Sequence, residues 1–224
     1  MGEIAVNIDS VKKELPHGVK LIAVSKTKPP ETILEAYKAG QKAFGENKAQ
    51  ELVYKHESLP KDIEWHMIGH LQTNKVKYIA PFVQLIHAVD SLKLLKAINS
   101  EAIKNHRVID CLIQVKIARE ETKYGLSFNE VIAILNSSDY AGLSNIRVTG
   151  LMGMATFTED IDQVRKEFRE LNLFFHQLKK VYFADKPYFS EISMGMSDDY
   201  PIAIEEGATM VRIGSNIFGN RIYI

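Results

Sequence analysis

Cysteine is almost missing from this sequence: Cys111 is the only one among 224 residues. An internal disulfide is therefore excluded, and a lone cysteine in the apolar run Cys111-Leu112-Ile113 reads as a small hydrophobe of a reducing compartment. Charge of one sign is not in excess either, since 28 basic residues stand against 28 acidic ones. The bulk field that draws a protein to nucleic acid is thus missing. No apolar run reaches the roughly 18 residues of a membrane span. The opening residues Met1-Gly2-Glu3-Ile4-Ala5-Val6 lack the basic head and apolar centre of a signal peptide. Val6 also stands where a myristoylation motif wants Ser or Thr. These absences lead to the expectation of a soluble, cytoplasmic protein with no nucleic-acid or membrane partner. Low-complexity linkers and charge blocks are lacking as well. Residues 1–224, with 46% apolar composition, are expected to form one domain around one core.

What the sequence does contain is an alternation of short β-rich runs with longer segments of helical period. Strands are expected at 19–24, 42–45, 64–69, 83–89, 110–117, 146–152, 188–192 and 209–213. Continuous apolar runs such as Leu21-Ile22-Ala23-Val24 suit parallel strands buried on both faces. Helix signals lie between them. Pro29-Pro30 suits a first helical turn, and Asp90-Ser91 supplies N-caps. Val164, Phe168, Leu171, Phe174, Phe175 and Leu178 mark an amphipathic helix opened by Asp160 and Asp162. Ile4, Ile8, Val11 and Leu15 repeat at helical spacing ahead of the first strand, as an extra helix outside the barrel or across its floor. Eight strand–helix units fit a single closed (β/α)8 barrel of TIM type, with an open doubly wound sheet as the rival.

In such a barrel the chemistry lies at the carboxyl ends of the strands. After strand one, alternation puts Ile22, Val24 and Lys26 on one face, so Lys26 is the last inward residue. An amine at that rim loses hydration, which favours the neutral form that attacks an aldehyde. The alternatives are a solvated lysine, and Lys28 as a competitor of the same parity. After strand eight, Gly214-Ser215 opens a short helix whose free amides suit a phosphate, and the loop 193–198 after strand seven is similarly small and hydroxyl-rich. Ordinary turns are the plainer reading of each. Arg212 faces opposite to Val211 and Ile213, towards the lumen, where it needs an acceptor; Glu205 or Glu206 would serve. Glu46 at the end of strand two is an acid, a partner for Lys75 or a surface charge, and Asn47 is a natural N-cap. His66 and His70 have the spacing of a zinc pair, but on a strand that spacing does not bring them together, so structural or ligand-lining roles are favoured.

An amine, a phosphate cradle and a lumen arginine in one mouth suit a phosphorylated aldehyde. The segments Ala23-Val24-Ser25-Lys26-Thr27-Lys28-Pro29, Phe44-Gly45-Glu46-Asn47, the run from Trp65 to Lys75, Ser193-Met194-Gly195-Met196-Ser197 and Val211-Arg212-Ile213-Gly214-Ser215 together resemble the pyridoxal phosphate homeostasis proteins. That family is similar to the N-terminal barrel of alanine racemase, a fold type III pyridoxal phosphate barrel. The resemblance implies that Lys26, rather than Lys28, holds pyridoxal 5′-phosphate as a Schiff base. It implies that Ser193, Gly214 and Ser215 hold the phosphate, with Met194 and Gly195 shaping that loop. It also implies that Arg212 lies against the pyridine nitrogen and that Asn47 lines the pocket. Lys116 stands where many relatives have asparagine, which alters the polarity expected after strand five. The function so implied is a monomeric carrier or regulator of the cofactor, without strong catalysis, handing it to apo-enzymes that depend on it. A weak amino-acid racemase or lyase, using Lys123 or His87 as a base, is the alternative. A phosphosugar barrel enzyme of aldolase type, also with a Schiff-base lysine, is a remoter one.

Overall fold

The structure is a computed structural model that describes residues 2–120 and 124–219. Its strands are β1 (Lys20–Val24), β2 (Ala43–Glu46), β3 (Glu64–Met67), β4 (Leu85–Val89), β5 (Ile109–Val115), β6 (Ile146–Gly153), β7 (Glu191–Ser193) and β8 (Met210–Ile213). They pair in sequence order, all parallel, and β8 closes onto β1 through Lys20↔Met210, Leu21↔Val211, Ile22↔Arg212 and Ala23↔Ile213. The open-sheet alternative is therefore excluded. No described helix is long and apolar enough to cross a membrane.

Each strand buries both faces, which is why its apolar runs are continuous. Ile22, Leu85, Leu112, Met152 and Met210 fill the lumen. Their neighbours Ala23, Ile86, Cys111, Ile113, Leu151, Val211 and Ile213 pack outward against the helices. Cys111 thus sits in the layer between barrel and helices, where burial holds its thiol well above its usual range.

The helices are α1 (Glu3–Glu14), α2 (Pro30–Lys38), α3 (Ala49–Ser58), α4 (Val76–Ile79), α5 (Leu92–Lys104), α6 (Phe128–Leu135), α7 (Ser138–Ala141), α8 (Ile161–Tyr182), α9 (Tyr200–Glu205) and α10 (Ser215–Phe218). Ser91 caps α5 by accepting from the Leu94 amide, Asp160 caps α8 by accepting from Gln163, and Pro30 opens α2. The extra amino-terminal helix α1 packs outside the barrel against α2 and α10, and the Asn7 side chain donates to Ile217 O at 3.1 Å. Only its end, around Lys12 and Leu15, reaches the floor.

Strand seven is shorter than its sequence suggests. Tyr188 and Phe189 belong to a turn closed by Phe189 N–H to Lys186 O, and the buried Phe189 ring stacks on Phe183 at 4.0 Å and on Phe175 at 4.8 Å. An aromatic that reads as strand is a plug beneath α8. Phe189→Ala is expected to cost about 3–5 kcal/mol, read as a lowered midpoint in urea unfolding.

Candidate functional site at the carboxyl-terminal mouth

The strand ends enclose a cavity of about 540 Å3 at the carboxyl-terminal mouth, a common size for a small-molecule site. Lys26, Asn47, Arg212, Gly214 and Ser215 share its wall with Ile68, Met152, Met154, Phe157, Met196, Ser197 and Asp198. Ser193, Met194 and Gly195 lie behind that wall. A larger cavity, about 820 Å3, opens at the opposite floor, lined by Lys12, Lys20, Glu64 and His66 among others, and meets none of the strand-end residues.

Lys26 stands on a clamped piece of backbone. The Lys55 ammonium, reaching in from α3, donates to Ser25 O at 2.8 Å, to Glu46 Oε1 at 2.7 Å and to Glu51 Oε1 at 2.7 Å. The Ser25 hydroxyl donates to Glu46 Oε1 at 2.5 Å, and the Thr27 amide donates to Glu51 Oε1 at 2.6 Å. Both neighbours of Lys26 are thus tied to one ion-pair cluster. The clamp also holds Thr27 at φ 66°, a left-handed kink that costs a β-branched residue free energy and swings the chain out towards α2. Glu46 is therefore neither a surface charge nor a partner of Lys75. It is fully buried with Lys55, and burial pushes its carboxyl up to about 7 against the pull of the Lys55 charge.

Arg212 is buried in the lumen and donates from Nη1 to Ser193 Oγ at 2.6 Å and from Nη2 to Gly153 O at 3.0 Å. Glu205 and Glu206 face outward and pair with Arg165 and Arg169 on α8 instead. Among the described residues no carboxylate forms an ion pair with Arg212. Burial lowers its pKa to about 10, with Asp199 opposing, so it stays charged at neutral pH and puts a positive charge on the cavity wall.

Gly214 passes close to β1: a Cβ there would meet Val24 O at 3.3 Å. Its amide donates to Ser197 Oγ at 3.2 Å. The next amides, of Ser215 and Asn216, open α10 and have no partner inside the helix. Lys28 braces this turn by donating to Phe218 O at 2.8 Å, which sets its role apart from that of Lys26. Gly195 combines φ +88° with a Cβ position 2.6 Å from Ala203 Cβ, so only glycine lets α9 pack against the loop. Met194 is core, facing the helices. Asn47 is not the cap of α3; that position is Lys48, without a side-chain cap. His66 and His70 part company: His66 faces His87 in the lumen, whereas His70 binds Asp90 at 2.9 Å and stacks on Tyr124. Lys116 lies past the end of β5 and off the cavity wall. Lys123 lies outside the described residues.

Comparison with known proteins places the chain in one family. The family model for the alanine racemase N-terminal domain matches residues 1–221. The pyridoxal phosphate homeostasis protein of Aquifex aeolicus is 44% identical over 205 residues, which is 91% of this chain and 88% of that protein. The chain belongs to the pyridoxal phosphate homeostasis protein family. Two solved structures of PipY from Synechococcus elongatus superpose on it. The one without pyridoxal phosphate has a TM-score of 0.90 at 35% identity, covering 96% of this chain and all (100%) of that one. The one with pyridoxal phosphate bound has a TM-score of 0.87 at 34% identity, with the same coverage.

Two features of this homeostasis-family barrel escaped sequence reasoning. Ser197, in the same loop as Ser193, is the serine on the cavity wall; the left-handed turn at Gly195 decides which hydroxyl is presented, and no pattern of residue types reports it. Lys55 did leave a signal, because it continues the buried stripe Ala49, Leu52 of α3 while standing four residues after Glu51. Lys55→Met is expected to cost about 3–5 kcal/mol, because Glu46 and Glu51 lose their buried cation. Without that cation the Glu46 pKa in the folded state rises further above its ordinary value near 4.5. The folded state then binds more protons than the unfolded one across that window, so stability falls as pH rises. Urea unfolding should show the Lys55→Met deficit smaller near about pH 5 than near about pH 8.

Proposed function

We propose that this protein holds pyridoxal 5′-phosphate in the mouth cavity as a Schiff base on Lys26, and serves intracellular homeostasis of that cofactor as a carrier or regulator. The observation that carries the reading is the convergence on one wall of a lysine on a clamped backbone, a buried arginine with no carboxylate ion pair among the described residues, and a glycine-serine turn. These residues fit the group. Lys26 supplies the amine. Ser197 Oγ and the amides of Ser215 and Asn216 suit a phosphate, with Gly214 allowing close approach. Ser193, implied by family resemblance, is committed to Arg212 instead. Arg212 suits the ring nitrogen, and Met152, Met154, Ile68 and Asn47 line the slot around it.

When bound, the cofactor supplies an aldehyde and a ring able to withdraw electrons. Arg212 limits the second property. A cation beside the ring nitrogen keeps it unprotonated, which weakens the electron sink that amino-acid chemistry uses. Catalysis by proton transfer also needs a base in the mouth. His87 does not serve, being fully buried with both nitrogens engaged. Lys28 is held by the backbone of α10, and Lys123, the other base weighed, lies outside the described residues. These arrangements favour reversible holding over turnover. A carrier of this kind passes the cofactor to apo-enzymes that depend on it.

Borohydride reduction of the loaded protein followed by peptide mapping is expected to place the label on Lys26, and Lys26→Ala should take up none. Label on Lys28 or elsewhere contradicts the assignment. Incubation with single amino-acid enantiomers in heavy water is expected to leave Cα hydrogens in place. Solvent deuterium at Cα with turnover would instead establish the weak racemase.

A further inference from the structure

A line of four buried side chains runs through the lumen from the floor towards the mouth. His66 stands on the wall of the floor cavity. Its Nδ1 lies 2.8 Å from His87 Nε2, His87 Nδ1 lies 2.9 Å from Ser193 Oγ, and Ser193 Oγ meets Arg212 Nη1 at 2.6 Å.

Counting donors gives the line one direction. A guanidinium can only donate, so Ser193 accepts from Arg212 and must send its own hydroxyl proton elsewhere. The acceptor within reach is His87 Nδ1. His87 therefore carries its proton on Nε2 and donates it to His66 Nδ1, and His66 in turn carries its proton on Nε2. In the reverse arrangement Arg212 and His87 would both donate to Ser193, leaving its hydroxyl proton buried and unpaired. Neither ring is cationic near neutrality. Burial, with a smaller push from Lys20, holds His66 down at about 3; burial, with His66 and Arg212, holds His87 well below its usual value. His66 Nε2, which has no partner among the described residues, is the donor end of the line.

We propose that His87, oriented by His66, is a positioning residue for the cofactor ring: it fixes the Ser193 hydroxyl as an acceptor and so keeps the Arg212 guanidinium aimed at the ring nitrogen. This rests on the reading of Arg212 as the partner of that nitrogen. Ser193 then belongs to the support of Arg212 rather than to the phosphate site.

Nitrogen-15 chemical shifts of the imidazoles in the cofactor-free protein report the tautomers without any activity assay. The expected result is a proton on Nε2 alone in both His66 and His87; a proton on His87 Nδ1 overturns the proposal. His87→Phe keeps a ring and removes the acceptor, whereas His87→Asn keeps an oxygen near the place of Nδ1. Titration with pyridoxal phosphate should show binding to His87→Phe weakened by about tenfold and its visible band shifted, with His87→Asn within about threefold of the parent. Equal loss in both variants would mean that the ring supplies volume, not an acceptor, and overturns the proposal. Should His87→Phe fail to fold by its cofactor-free melting curve, Ser193→Ala tests the same link and is expected to show the same loss. Unchanged affinity in the folded variant overturns the link. Arg212→Gln, run alongside, separates the two levels. If it leaves band and affinity unchanged, the reading of Arg212 fails; if it alters them while the His87 and Ser193 variants do not, only the relay fails.

Discussion

Closure of β1 onto β8 is the constraint on which the site depends. The pairing of Ile22 with Arg212 and of Ala23 with Ile213 sets the ends of these two strands side by side. Lys26 follows one strand and the Gly214-Ser215 turn follows the other, so residues from opposite ends of the sequence share one wall. Without that closure the amine and the glycine-serine turn would not meet. The missing side chain at Gly214 lets the two strand ends touch backbone to side chain, close to Val24.

Two buried polar systems hold what closure brings together. Under β1 and β2, Lys55, Glu46, Glu51 and Ser25 fix the backbone on both sides of Lys26. Under β7 and β8, Ser193 and Gly153 hold Arg212. Networks of this kind are worth more satisfied than pairwise contacts suggest, and a single broken member leaves an expensive unpaired group. Their common effect is to fix an amine and a cation on the wall of one cavity. Among the described residues both systems are spent on holding: their hydrogen bonds fix Arg212 or the backbone beside Lys26.

The barrel itself was legible in the sequence because short β-rich runs alternate with helical segments and both-face burial makes several of those runs, such as Leu21-Ile22-Ala23-Val24, continuously apolar. The inward direction of Lys26 and Arg212 followed from alternation alone, since Ile22 and Met210 share their faces. Legibility stopped where the backbone leaves the regular period. Tyr188-Phe189 has strand-like residues but serves as an aromatic plug, and Gly195 turns the loop so that Ser197 rather than Ser193 meets the cavity. The salt bridge weighed for Arg212 went instead from Glu205 and Glu206 to Arg165 and Arg169, a choice set by the facing of α8 across the fold. Glu46 read as three different things in sequence, because its partner Lys55 lies on the following helix and nothing local to strand two pairs them.

The proposal turns on placement: the Lys26 amine just past β1 and the turn after β8 are to hold the two ends of the same molecule. A crystal structure of the protein grown with pyridoxal 5′-phosphate tests it most directly. The account predicts density continuous from Lys26 Nζ, the phosphate against Gly214, Ser215 and Ser197, and the ring nitrogen beside Arg212. A phosphate bound at the floor, or density joined to Lys28, would contradict it.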